Sequence, residues 1–329
     1  MVATGRELIG TQVGKYVLTR LLGTGGMGEV FEAEHRFLGA RVAIKVVGSG
    51  ALDDRRLLEL FYQEARALSA IDHEGIVDVF DLEVLDDGRP CIIMEYLEGA
   101  SLDKLIHERG CIRPDILIRW MIGWVDALAA AHQAGVVHRD LKPGNLFVTR
   151  TGRTEVLDFG VVKLMANNRD SGKFRSLAGE VFGTRPYMAP EQACGEPVDV
   201  RTDVFSLGVV MYEALTGKRP FKGKTLVALL VEHRRGLPPV SARRPVPTIV
   251  DQLVMKALEA DQADRYQSLG ELAEALATAG RALGVSRSRR ESAPPGRYFR
   301  NLDDPTSGPI TETDPRHELP TVRGAAPNR

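Results

Sequence analysis

With 329 residues the chain has length for about two domains or one two-lobed unit, and its 43% apolar and 26% charged content excludes a collagenous, disulfide-stapled or wholly disordered protein. Lys and Arg total 43 against 44 for Asp and Glu, so a net charge of -1 gives no electrostatic basis for a nucleic-acid or membrane-surface binder. Cys91, Cys111 and Cys194 lie far apart, which fits neither a disulfide framework nor a zinc knuckle and points to a reducing cytoplasm.

Met1 to Gly14 has no apolar leader, Val2 removes the myristoylation signal, and no apolar run approaches membrane-spanning length, so a soluble, unanchored, cytoplasmic protein is expected. Residues 1–15 read as an N-terminal extension. From Tyr16 to Val47 short alternating runs, Tyr16-Val17-Leu18, Glu29-Val30-Phe31 and Val42-Ala43-Ile44, predict antiparallel strands between Gly-rich or polar breaks. A helix is predicted over about Asp53 to Ile71, then strands over about Val77 to Leu85 and Pro90 to Tyr96, joined by a turn at Asp86-Asp87-Gly88. After Gly99 the periodicity turns helical, which sets a lobe boundary near residue 97. Asp115 to Ala134 is an apolar-periodic helix ended by Gly135; Asp203 to Thr216, apolar nearly all round and ended by Gly217, predicts a buried one. The last 45 residues hold 7 of the 18 prolines, many Arg, Ser and Thr and few large apolar groups, so 284–329 is predicted to be a disordered tail. No repeat at a fixed period is present, against a solenoid or propeller.

Gly23, Gly25 and Gly28 with Val30 form G-x-G-x-x-G-x-V, whose glycines let backbone amides approach phosphates. On the glycines alone a plain hairpin turn competes with phosphate binding, but a dinucleotide turn does not, because Glu29 to Glu34 continues as a strand and not as a helix. Lys45 ends Val42-Ala43-Ile44-Lys45 and could face solvent. In the following helix, however, Phe61, Glu64 and Leu68 share the inward stripe, and a carboxylate there needs a cation, which Lys45 can supply while also contacting phosphate.

The strongest signal is His138-Arg139-Asp140-Leu141-Lys142-Pro143-Gly144-Asn145, followed after a short hairpin by Asp158-Phe159-Gly160. Asp140 can accept a hydroxyl proton, and Asn145 and Asp158 offer oxygen ligands suited to Mg²⁺, which favours carboxylates plus substrate phosphates. Two polar loops without function are the alternative.

With these motifs the chain, from about Tyr16 to Leu283, resembles the bacterial eukaryotic-like Ser/Thr protein kinase family. The resemblance extends to Ala189-Pro190-Glu191, Asp203 and Arg265, with bacterial features in Gly25-Gly26-Met27-Gly28 and Tyr187-Met188-Ala189-Pro190-Glu191-Gln192. It implies an α+β, bilobal protein-kinase fold over 16–283: a small antiparallel sheet lobe with one main helix (about 16–97) and a larger helical lobe (about 98–283). It implies ATP as donor with Mg²⁺, or Mn²⁺ in its place, and protein substrates with Ser or Thr acceptors, the chain itself among them. By resemblance, Leu22, Gly23, Gly25, Gly26, Gly28, Val30 and Ala43 surround the nucleotide with Lys45, Met94 is the gatekeeper, Glu95 to Leu97 form the hinge, and Phe147 floors the adenine pocket. Lys142 and Thr184 orient Asp140 and the hydroxyl, Glu191 pairs with Arg265, Asp203 braces the His138-Arg139 turn, and Leu68, Val79, His138 and Phe159 form a regulatory stack. Arg139 implies a phosphate on the loop after Asp158, with Ser176 preferred over Ser171 and Lys163 or Arg175 as further partners; Ala178 stands where many relatives carry a threonine. Thr306, Thr311, Thr313 and Thr321 could give the tail a phospho-dependent partner. Two rivals remain: a nucleotide-binding pseudokinase scaffold, which the full motif set disfavours, and a small-molecule phosphotransferase, which does not need the 34 residues from Asp158 to Glu191.

Overall fold

Alternating burial along the first fifty residues builds a sheet whose two faces have different tasks. A computed structural model of the chain describes residues 5–25, 28–48, 55–159, 185–223 and 225–285. Its first sheet comprises β1 (Gln12–Val13), β2 (Tyr16–Gly25), β3 (Gly28–His35), β4 (Arg41–Val47), β5 (Val79–Val84) and β6 (Pro90–Glu95), antiparallel in the order β1-β2-β3-β4-β6-β5. On one face Leu18, Phe31, Val42, Ile44, Val46 and Ile93 form a core that Leu8 and Val13 complete. A 3-10 turn at Gly5–Leu8 and strand β1, both ahead of Tyr16, cover apolar surface that the sheet would otherwise expose. Against the other face lies α1 (Arg55–Ser69), whose Phe61 and Ala65 pack with Val47 and Ile92.

The large lobe opens with β7 (Gly99–Ser101), α2 (Leu102–Arg109) and α3 (Pro114–Gln133). Strands β8 (Leu146–Thr149) and β9 (Thr154–Val156) form a hairpin that β7 extends into a second, three-stranded sheet. The helices α4 (Pro190–Cys194), α5 (Val200–Thr216), α6 (Leu226–Arg235), α7 (Thr248–Ala257) and α8 (Leu269–Ala282) complete it. Trp124 of α3, fully buried, donates its indole N–H to the carbonyls of Phe147 (3.2 Å) and Glu155 (3.1 Å), which fixes the hairpin to the helix. Helix α5 is buried all round as predicted, but it begins three residues earlier, because Asp199 caps it by accepting the Arg201 N–H at 2.8 Å. The tail from residue 286 lies outside the described residues.

Candidate active site

The loop between α3 and β8 is held from below by one carboxylate. Asp203, fully buried in the first turn of α5, accepts the backbone N–H of His138 and of Arg139, each at 2.8 Å, and pairs with His132 Nε2 at 2.8 Å. These bonds compensate a strained backbone: Arg139 has φ of 62°, a left-handed conformation that costs a non-glycine residue about 1–3 kcal/mol. His138 is buried and its basicity is pulled below the ordinary imidazole value, chiefly by desolvation. A single proton on Nε2 then suits both its partners, since Nε2 faces Leu157 O at 3.1 Å and Nδ1 accepts the Asp140 N–H at 3.3 Å. The Asp140 carboxylate is set beside Lys142, whose Nζ lies 3.5 Å from Oδ2.

Asn145, also buried, donates Nδ2–H to Asp140 O at 3.0 Å and to Asp158 O at 3.4 Å, so its amide links the two acidic positions and turns its oxygen away from both carbonyls. Asp158, with φ of 45°, is likewise left-handed. Its carboxylate receives the Lys45 ammonium at 2.9 Å; desolvation opposes ionisation there, yet Lys45 by charge and hydrogen bond holds the carboxyl below its usual range. The donor chemistry fits a hard divalent cation bound jointly with phosphate oxygens. Among the described residues no cluster of three or more His, Cys, Asp or Glu forms a metal cage, and one carboxylate with one amide oxygen leaves most ligand positions to substrate and water.

The sheet supplies the roof. Val30 is opposite Lys45 across β3 and β4, and Ala43 is opposite Met94 across β4 and β6, so the four share one face. Leu22 stands at a register shift in β2 and is partly exposed. Gly28 tolerates no side chain: its φ is 153° and a Cβ would come within 1.9 Å of Val46 O. Gly23 and Gly25 lie on β2, Glu95 ends β6, Leu97 follows in the connector, and Phe147 lies on β8 opposite Ser101. Gly26, Thr184, Ser171 and Ser176 lie outside the described residues; Glu64 belongs to α1, but its side chain is also outside them.

Leu68 of α1 and Phe159 are buried in one core with Val79 packed on it, and the Phe159 ring lies 4.7 Å from that of His138. Leu68→Ala is expected to lower turnover about five-fold or more while the protein stays folded, the lower range for energetic coupling between sites; peptide kinetics beside circular dichroism check it, and full activity in a folded variant would refute the stack.

Farther along, Arg265 grips Glu191 with two bonds of 2.9 Å, both groups buried, and Thr202 Oγ1 donates to the same carboxylate at 2.7 Å. Gln192 of α4 donates Nε2–H to Arg139 O at 3.0 Å, which connects this shelf to the strained turn.

Residues 16–276 match the family model described as protein kinase domain. The chain belongs to the protein kinase family. Within that family it is 40% identical over 295 residues to the serine/threonine-protein kinase Pkn1 of Myxococcus xanthus, covering 88% of this chain and 41% of that protein. To the serine/threonine-protein kinase PknA of Mycobacterium tuberculosis it is 38% identical over 291 residues, covering 87% of this chain and 66% of PknA. The crystal structure of the Mycobacterium tuberculosis PknI kinase domain superposes with a TM-score of 0.62 at 26% identity, covering 84% of this chain and all of that one (100%). The chain thus has the bilobal protein-kinase fold, and it spans about two-fifths of Pkn1's length.

Three residues with structural partners near the site carry no sequence signal of their own. His132, in the last turn of α3, reaches Asp203, and only its place six residues before His138 could have drawn attention to it. Arg153 and Glu155 on the β8–β9 hairpin carry no motif at all.

Proposed function

We propose that the chain is a serine/threonine protein kinase, transferring the γ-phosphoryl group of ATP to Ser or Thr hydroxyls of proteins, itself included. The observation that carries this reading is the convergence of Lys45, Asp140, Asn145 and Asp158 at one cleft, braced by Asp203 beneath. Lys45 contacts the phosphates, Asp140 accepts the proton of the attacking hydroxyl, and Lys142 and Thr184 orient both partners. Asn145 and Asp158 would hold Mg²⁺, with Mn²⁺ as the alternative ion; when bound, the ion neutralises phosphate charge. Glu95 to Leu97 hold adenine by their backbone, below the roof of Val30, Ala43 and Met94 and above Phe147. The hinge and Gly-rich hairpin thereby position nucleotide, and the shelf fixed by Glu191 and Arg265 receives the protein.

The protein is assigned to the cytoplasm on its separated free thiols, and no helix among the described residues is long and apolar enough to cross a membrane. Phosphorylation of Ser176 or Ser171 would order the loop after Asp158 through Arg139, and phosphorylated threonines of the tail would recruit a partner. A pseudokinase has no support in the site, since every group that the chemistry needs stands in the chain. The deciding experiment is incubation with labelled ATP and Mg²⁺ beside Asp140→Asn, followed by mapping of the labelled residues. Label on Ser or Thr with wild type alone is expected; nucleotide binding without transfer would favour the scaffold.

A further inference from the structure

Three residues before Asp158, β9 carries a carboxyl that phosphoryl transfer does not use. Glu155 is fully buried, and neither of its carboxylate oxygens has a well-oriented hydrogen bond. What it has is an ion pair, with Arg153 Nε 2.6 Å from Oε1. The same guanidinium reaches the small lobe, where Nη2 donates to Glu95 Oε1 at 2.8 Å. One cation therefore joins the large-lobe hairpin to the residue that opens the connector between the lobes.

The surrounding contacts make this a junction and not a surface pair. Val156 donates its N–H to Gly75 O at 2.8 Å and Ile76 bridges to Val156, so β9 is bonded to the loop that follows α1. A Cβ on Gly75 would come within 2.9 Å of Ala127 Cβ, and one on Gly123 within 2.1 Å of Thr154 Oγ1, so α3 packs tightly against both segments. Glu95 in turn donates its N–H to Asp78 O at 2.9 Å. A shift of the hairpin would be felt at the hinge and at the loop after α1 together.

The charges here are unbalanced. Glu155 faces Arg153 on its own hairpin, Glu95 from β6, and Asp78 and Glu74 from the loop between α1 and β5. From α3 it meets the neutral Trp124, while Asp126 of that helix lies 3.6 Å from His73. Three carboxylates, Glu95, Glu155 and Asp78, act on the one guanidinium, and Glu74 adds a further negative charge beside Glu155. Burial pushes the Glu155 carboxyl up to about 7, with Arg153 opposing and the other carboxylates adding to the rise.

We propose that Arg153 is a positioning residue for nucleotide, tying the hinge at Glu95 to the large lobe, and that the proton on Glu155 decides how firmly it does so. The inference rests on the kinase reading above. With Glu155 neutral, the guanidinium belongs to Glu95 and the hinge is drawn onto the hairpin. With Glu155 ionised, a second carboxylate competes for the same cation, the cluster repels itself, and the tie slackens. Adenine, held by the hinge backbone, loses part of its fixed platform; Asp140, on the other side of the cleft, keeps its own braces.

Steady-state kinetics with saturating peptide and excess Mg²⁺, ATP varied, at pH values below and above the Glu155 transition test this. KM for ATP in wild type is expected to rise about five-fold with pH, the ceiling for a half-exposed ion pair, while kcat moves less. Glu155→Gln should hold the low-pH KM throughout, Arg153→Ala the high-pH value, and Arg153→Lys should restore part of the difference. The nucleotide's own titration is common to all four proteins and cancels. Superimposable pH profiles for wild type and Glu155→Gln would overturn the latch, as would an Arg153→Ala change confined to Tm. A wild type that neither binds nucleotide nor transfers phosphoryl at any pH would overturn the kinase reading and this inference with it.

Discussion

Asp140→Asn is expected to lower turnover by about 10²–10⁴ with little change in ATP affinity, the range lost with a positioned general base. The amide keeps the shape of the side chain, and the contacts that hold the loop are elsewhere: His138 Nδ1 receives the residue 140 N–H, and Asn145 bonds its carbonyl. What changes is the capacity to take a proton from the acceptor hydroxyl and the charge that attracts Lys142. Peptide kinetics and a separate nucleotide titration divide the two contributions. Near-normal kcat would remove Asp140 from the role of base, whereas a parallel loss of ATP binding would mean that the substitution had disturbed the cleft.

The second large effect concerns stability. Glu191→Leu leaves the Arg265 guanidinium buried without its counter-ion, and because that group cannot deprotonate, a loss of about 3–5 kcal/mol is expected. The double variant Glu191→Leu with Arg265→Met should recover much of it, since no unpaired charge then remains. The pH dependence follows from the carboxyl: desolvation raises its proton affinity, but Arg265 and Thr202 together hold it below the ordinary range. Its stabilising contribution is complete above the ordinary glutamate range and fades as pH falls through the lower folded value. Urea unfolding across the acid range should show this slope in wild type and not in the double variant; a single variant as stable as wild type would contradict the pairing.

The strands β2 to β4 and helices α3 and α5 were legible because alternation and apolar periodicity state directly which face is covered. The motifs around Asp140 and Asp158 were legible for another reason: their chemistry needs fixed residue types at short spacing. Strand β1 was not, since two residues, Gln12 and Val13, are too few to show a period and join the sheet only because it leaves a face to be covered. Asp199 was missed as a cap because the apolar run that marks α5 begins after it. The Arg153 to Glu95 contact joins residues 58 apart in sequence, and nothing local at either end announces the other.

Asp203 has one more consequence. Both backbone amides of the His138-Arg139 turn terminate on a helix whose residues from 202 to 212 are all buried, whereas the six-stranded sheet of the small lobe has a core of its own. Opening of the sheet therefore need not loosen the turn. Native-state hydrogen exchange should show the His138 and Arg139 amides decaying with those of α5, among the last in the chain, while β5 at the sheet edge exchanges through a much less costly partial unfolding. The proposed base, Asp140, would stay assembled through excursions that open the proposed nucleotide cleft, and return to activity would wait only on the sheet.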